Sequence, residues 1–137
     1  MIGVLIATHG MLGSELIRAA ELITGSLNGV GCVLIDQTKT VEDIKKELSK
    51  AIKKLDQGQG VLILTDLFGG TPSNIALSFL KEGKVEVVTG VNLPMLLKIS
   101  DAREDMNLKE FASYLSTYGK KNIYLASELL NKKIDVQ

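Results

Sequence analysis

Four short, nearly continuous apolar runs set the plan of this chain: Ile2 to Ala7, Val30 to Asp36, Val61 to Thr65 and Val85 to Thr89. Runs of this length and composition are typical of strands buried on both faces of a parallel sheet. Between them, apolar residues recur at helical spacing: Leu12, Leu16, Ala19 and Ile23, then Val41, Ile44, Leu48, Ile52 and Leu55, then Ile75, Ala76, Phe79 and Leu80. Strands that alternate with helices in this way imply an open, doubly wound, mostly parallel sheet with helices on both faces.

Punctuation residues support the division. Gly25, Asn28 and Gly29 supply a stop for the first helix, Thr40 and Asp43 a capping-box start for the second, and Gly58 and Gly60 its end. Thr71 reads as the N-cap of the third helix, with Pro72 at its first position. A further helix begins near Leu93 and Pro94, another is capped by Asn107 and Glu110 and runs through about Tyr118, and Ile123 to Leu125 reads as a short last strand. No repeat, linker or low-complexity tract interrupts the pattern, so residues 1–137 are expected to form one domain.

Composition narrows the function. The 137 residues carry 16 Lys plus Arg against 16 Asp plus Glu, which leaves no bias toward phosphate backbones or anionic lipid and makes nucleic acid an unexpected partner. A single cysteine, Cys32, excludes an internal disulfide and a multi-cysteine zinc site; lying in an apolar strand, it is expected to be buried and inert. The apolar start lacks a basic leader, and no apolar run approaches the length of a membrane span, so a soluble, cytoplasmic protein is expected. The one histidine, His9, excludes chemistry that needs two imidazoles from the same chain.

In sheets of this class, ligands and chemistry gather at the carboxyl ends of the strands. Thr8, His9 and Gly10 follow the first run, Asp66 the third, and Gly69, Gly70, Thr71, Pro72 and Ser73 lead into the next helix. If the first and third strands are neighbours, Asp66 can accept from one ring nitrogen of His9, fix its tautomer and leave the other nitrogen free as a nucleophile or base. The Gly-rich turn into a helix offers backbone N–H groups and the positive end of a dipole to an anion, with Thr71 and Ser73 hydroxyls beside them. Neither GxxxxGK[ST] nor GxGxxG occurs, so no nucleotide is implied.

Each feature also has an ordinary explanation. A histidine after a strand is commonly a surface residue, an aspartate there commonly caps a turn, and Gly-Gly-Thr-Pro is an efficient helix start. Their joint placement on one rim is what favours chemistry.

Three motifs in order resemble the IIA component of the mannose family of the phosphoenolpyruvate-dependent sugar phosphotransferase system: THG after the first strand, TDLFGGTPSN after the third and GVNLPML after the fourth. The resemblance spans nearly the whole chain. It implies four parallel strands in the order 2-1-3-4, plus a short C-terminal antiparallel strand, Asn122 to Leu125, exchanged in a homodimer. It further implies a cytoplasmic phosphocarrier that takes a phosphoryl group from the carrier HPr on His9 and passes it to a separate IIB component, with membrane IIC and IID components acting indirectly.

By the same resemblance, the phosphoryl group sits on Nε2 of His9, Asp66 orients the ring through Nδ1, and Gly69, Gly70, Thr71 and Ser73 bind phosphate, with no metal or other cofactor. Thr71 stands where the family often has Ser, and Phe68 where some members have Trp. Other readings compete with this one. A phosphocarrier subunit of a dihydroxyacetone kinase system would share the early histidine. A response-regulator receiver would need acidic residues where Thr8 and His9 stand. A non-catalytic flavodoxin-like module would bind an anion without covalent chemistry, and a Ser-His-Asp hydrolase using Ser73 lacks a GxSxG elbow.

Overall fold

The computed structural model describes residues 1–135. Four strands, β1 (Gly3–His9), β2 (Val30–Ile35), β3 (Val61–Thr65) and β4 (Val85–Thr89), form one parallel sheet in the order β2-β1-β3-β4. The helices of the described residues are α1 (Leu12–Thr24), α2 (Val41–Leu55), α3 (Thr71–Leu77), α4 (Leu93–Leu97), α5 (Ile99–Ala102), α6 (Leu108–Lys121) and α7 (Ala126–Asp135). The sheet topology and its helical layers are as the sequence and its family resemblance led us to expect.

Alternation along the central strands builds two cores. Val4, Ile6, Leu62 and Leu64 face α1, α4, α5 and α6 and pack with Leu96, Ile99, Phe111 and Leu115. Leu5, Ala7, Val61 and Ile63 face α2 and α3 and pack with Ile44, Leu48, Ile75 and Ala76. Each fully buried aliphatic side chain of this kind stabilises the fold by roughly 1.5–3 kcal/mol. In the parallel pairing of β1 with β3, Ala7 lies opposite Thr65. That pairing brings the ends of β1 and β3, and hence His9 and Asp66, to the same rim.

Two helix starts carry a full capping box. Thr40 and Asp43 exchange the reciprocal bonds of a capping box at α2, and Asn107 and Glu110 do the same at α6. At the far end of the sheet, the buried Arg103 donates from Nη1 to the Ile2 carbonyl at 3.2 Å, tying the entry of β1 to the segment before α6.

Four local expectations change. The buried face of α1 is Gly13, Leu16, Ile17 and Ala20, whereas Leu12 and Ile23 are exposed. Gly13 is the cause: a Cβ there would lie 3.0 Å from Ile6 Cγ2 and 3.1 Å from Thr8 Oγ1, so its bare Cα lets the helix press that side against β1. The N-cap of α3 is Gly70 rather than Thr71, which shifts Pro72 one position into the helix. Cys32 is exposed rather than buried, because β2 borders the sheet and its α1-facing side is only partly covered. Partial desolvation pushes its thiol pKa up, away from the reactive thiolate. Finally, α6 continues to Lys121, with Lys120 and Lys121 placed favourably at its negative dipole end.

Within one chain Ile123 to Leu125 forms no strand; all three side chains are exposed, and a short helix, α7, follows. No helix among the described residues is long and apolar enough to cross a membrane.

Candidate functional site

His9 is the last residue of β1, and Asp66 follows β3 directly. The turn that carries His9 depends on Gly10, whose φ of +56° suits glycine and whose N–H donates to the Ile35 carbonyl on β2 at 2.8 Å. On the other side, the His9 backbone N–H donates to Asp66 Oδ2 at 3.0 Å, and His9 Nδ1 lies 2.7 Å from the same oxygen. Asp66 Oδ1 accepts from the Leu67 N–H at 3.0 Å. The imidazole is therefore held by its own backbone and its ring against one carboxylate.

The electrostatics follow from these contacts. Burial alone would raise the Asp66 carboxyl pKa, but the His9 backbone N–H, the His9 ring and the Leu67 N–H together hold it below the usual carboxylate range. An ionised carboxylate only accepts hydrogen bonds, so the Nδ1 of neutral His9 carries the ring proton and Nε2 carries the lone pair. The His9 side chain is 52% exposed while that of Asp66 is 8% exposed, so the carboxylate is buried and the far edge of the ring, with Nε2, is left toward the surface.

That edge faces the start of α3. A Cβ placed on Gly70 would lie 2.9 Å from His9 Cε1 and 3.5 Å from Nε2. The backbone of Gly70 is ordinary extended chain, φ −82° and ψ 168°, so it is the imidazole, not the backbone, that calls for glycine here. Gly69, in contrast, has a φ of +91°, which turns the chain into the helix. No side chain caps the start of α3, and the helix's own first bond runs from the Asn74 N–H to the Gly70 carbonyl.

The structure thus brings together His9, Asp66 and Gly70. Thr71 is exposed in the first turn of α3, and Gly69 is exposed on the preceding loop. Ser73 is fully buried on the sheet-facing side of α3, and its hydroxyl has no hydrogen-bond partner among the described residues. Thr65, one residue before Asp66, is likewise buried with an unpaired hydroxyl.

One feature of the rim escaped the reading of the sequence, and a second was read only at Phe68. Thr8, noted only for its position, accepts the Gly13 N–H on Oγ1 at 2.7 Å. Met11 and Leu12, shortly after His9, and Leu67 and Phe68, directly after Asp66, are exposed apolar residues, with Phe68 74% exposed. That position in the chain was the available signal.

Comparison with known proteins bears on this geometry. The family model described as PTS system fructose IIA component matches residues 3–115. The chain is 32% identical over 133 residues to the PTS system fructose-specific EIIA component of Bacillus subtilis, covering 96% of this chain and 91% of that protein. It is 34% identical over 105 residues to the PTS system mannose-specific EIIAB component of Escherichia coli, covering 76% of this chain but 32% of that longer protein.

Solved structures agree. The phosphotransferase system component EIIA from Streptococcus agalactiae superposes with a TM-score of 0.84 at 25% identity, covering 93% of this chain and 99% of that one. The PTS IIA protein associated with the fucose utilization operon of Streptococcus pneumoniae gives a TM-score of 0.80 at 28% identity, covering 93% and 95%. With a matching family model across most of its length and relatives above 30% identity, the chain belongs to the mannose family of IIA components of the sugar phosphotransferase system.

Proposed function

We propose that the chain is the phosphocarrier of its system, accepting a phosphoryl group from phospho-HPr on His9 Nε2 and delivering it to a IIB component. The observation that carries this reading is the 2.7 Å pairing of Nδ1 with Asp66 beneath an exposed Nε2 edge. The Nε2 lone pair attacks phosphorus in line as the bond to the donor imidazole breaks, and that imidazole leaves with the electron pair. The Nδ1 proton stays in place, and the Asp66 carboxylate stabilises the positive charge that develops on the ring. Since the N–P bond formed resembles the one broken, the step is near balance and runs in both directions. No proton has to be moved, so alignment is the main task of the site.

The surroundings suit a protein donor and a protein acceptor. His9 stands on an open rim, beside the exposed apolar residues Met11, Leu12, Leu67 and Phe68, whereas a cavity of about 540 Å³ lined by Gln59, Glu82, Gly83 and Leu108 adjoins the amino ends of β3 and β4. Apolar groups around an exposed nucleophile favour docking of a partner surface. Gly69, Gly70 and Thr71 would hold the phosphoryl oxygens at the start of α3; Ser73, being buried, would reach them only through a local shift of the helix.

The IIB acceptor is supported by the name of the Escherichia coli relative, which joins A and B units. Phosphorylated chain mixed with IIB is expected to lose its phosphoryl group to that protein; retention with IIB, and loss to a dihydroxyacetone kinase subunit, would move the chain to the other system. A homodimer formed by exchange of residues 122–125 is supported by the exposed Ile123, Tyr124 and Leu125 and by β4 as an open sheet edge. Light scattering is expected to give twice the chain mass, and a monomer at micromolar concentration would remove the exchange.

A further inference from the structure

The turn that carries His9 has an anchor that the phosphocarrier chemistry does not itself require. Thr8 is fully buried, and its Oγ1 accepts the Gly13 N–H at 2.7 Å. Helix α1 begins at Leu12, and its N-cap residue, Met11, contributes no side-chain bond. Thr8 therefore does from the end of β1 what an N-cap side chain normally does from the helix: it satisfies a donor in the first turn. The contact is tight, because a Cβ on Gly13 would lie 3.1 Å from that same oxygen.

The consequence falls on the turn between. His9 ends β1, and Gly10 and Met11 link it to a helix tied back to the strand by the Thr8–Gly13 bond, while Gly10 is bonded to β2 and the His9 N–H to Asp66. Three bonds in three directions leave the turn one arrangement. Removing the bond to α1 frees the helix start to pull on Met11 and Gly10, and the ring is the exposed group at the end of that lever.

Resting on the phosphocarrier reading, we infer that Thr8 is a positioning residue: its hydroxyl oxygen locks the His9 turn to α1 so that Nδ1 stays on Asp66 and Nε2 stays aimed outward. It touches neither donor nor phosphoryl group. Its methyl group packs in the interior, so the hydroxyl has to be tested separately from the packing.

Thr8→Val keeps the shape and removes the acceptor, whereas Thr8→Ser keeps the acceptor and removes the methyl group. Because His9 is the only histidine, its ring ¹⁵N signals are unambiguous in each protein. Wild type and Thr8→Ser are expected to show one tautomer with the proton on Nδ1, and Thr8→Val an averaged ring. The initial rate of phosphoryl transfer from phospho-HPr is expected to fall on the order of tenfold in Thr8→Val and to be largely restored in Thr8→Ser. Wild-type ring signals and rate in Thr8→Val, or equal losses in both variants, would overturn the inference.

A wild-type chain that takes no phosphoryl group would defeat the carrier reading, while the ring signals would still decide the role of Thr8. Should Thr8→Val fail to fold, amide exchange in the wild type decides it. Strong protection of the Gly13 N–H supports the anchor, and exchange at the rate of an open loop overturns it.

Discussion

The His9→Ala protein is expected to accept no detectable phosphoryl group from phospho-HPr while melting close to the wild type. The side chain is half exposed, so its removal opens no cavity. No second histidine exists to take over. Asp66→Ala should differ in kind: the nucleophile remains, but the ring loses the acceptor that selects the Nδ1 tautomer and the partner for its developing charge. Transfer should slow by about 10²-fold, less than where an orienting carboxylate supports proton abstraction, because no proton is abstracted here.

The low Asp66 pKa gives this pair a definite pH dependence. A carboxyl depressed on folding contributes stability that is present above its ordinary range and is lost only as pH falls through the lower folded value. Acid unfolding of wild type should therefore show a limb below the usual carboxylate range, and Asp66→Ala should lack it. Initial rates with labelled phosphoenolpyruvate, together with melting curves from neutral to acid pH, check these expectations.

Gly70→Val is the second change with a large expected effect. A Cβ at this position already sits 2.9 Å from His9 Cε1, and valine adds two methyl groups toward the Nε2 edge. A flexible side chain would yield, but the ring is pinned through Nδ1 and by the His9 backbone to Asp66, so it has no free direction. Either the ring is driven off the carboxylate or the line of attack on phosphorus is blocked. The rate is expected to fall by at least about 10²-fold, since misplacement by an ångström is enough for such a loss. Any loss of stability should come from the displaced His9–Asp66 pair and not from the backbone, because the extended conformation of Gly70 accepts any L-residue. A transfer rate within a few-fold of wild type would show that the ring is more mobile than these contacts imply.

What could be read before the fold was known follows burial. The strands β1 and β3 are apolar on both faces, so their runs announced a parallel sheet and the rim on which His9 and Asp66 meet. The pairing itself rested on strand order, which apolar runs do not encode; the THG and TDLFGGTPSN motifs supplied it through family resemblance. Where a single close contact decides, periodicity misled. Gly13 is not apolar in any periodic count, yet its missing Cβ turns α1 and exposes Leu12 and Ile23.

Cys32 looked buried because its strand is apolar, although the order 2-1-3-4 implied by the resemblance already makes β2 an edge. Gly70 was legible as part of an anion-binding turn, but not that the imidazole beside it leaves no room for a Cβ. Thr8 was hidden by its neighbour: a buried hydroxyl capping a helix it does not belong to leaves no local signature.

The most direct measurement is the intact mass of the wild-type chain after incubation with phosphoenolpyruvate, Enzyme I and HPr, taken before and after mild acid treatment. The account predicts one added phosphoryl group per chain, lost in acid and absent from the His9→Ala protein. An unchanged mass, with both carrier proteins active on a control acceptor, would contradict it.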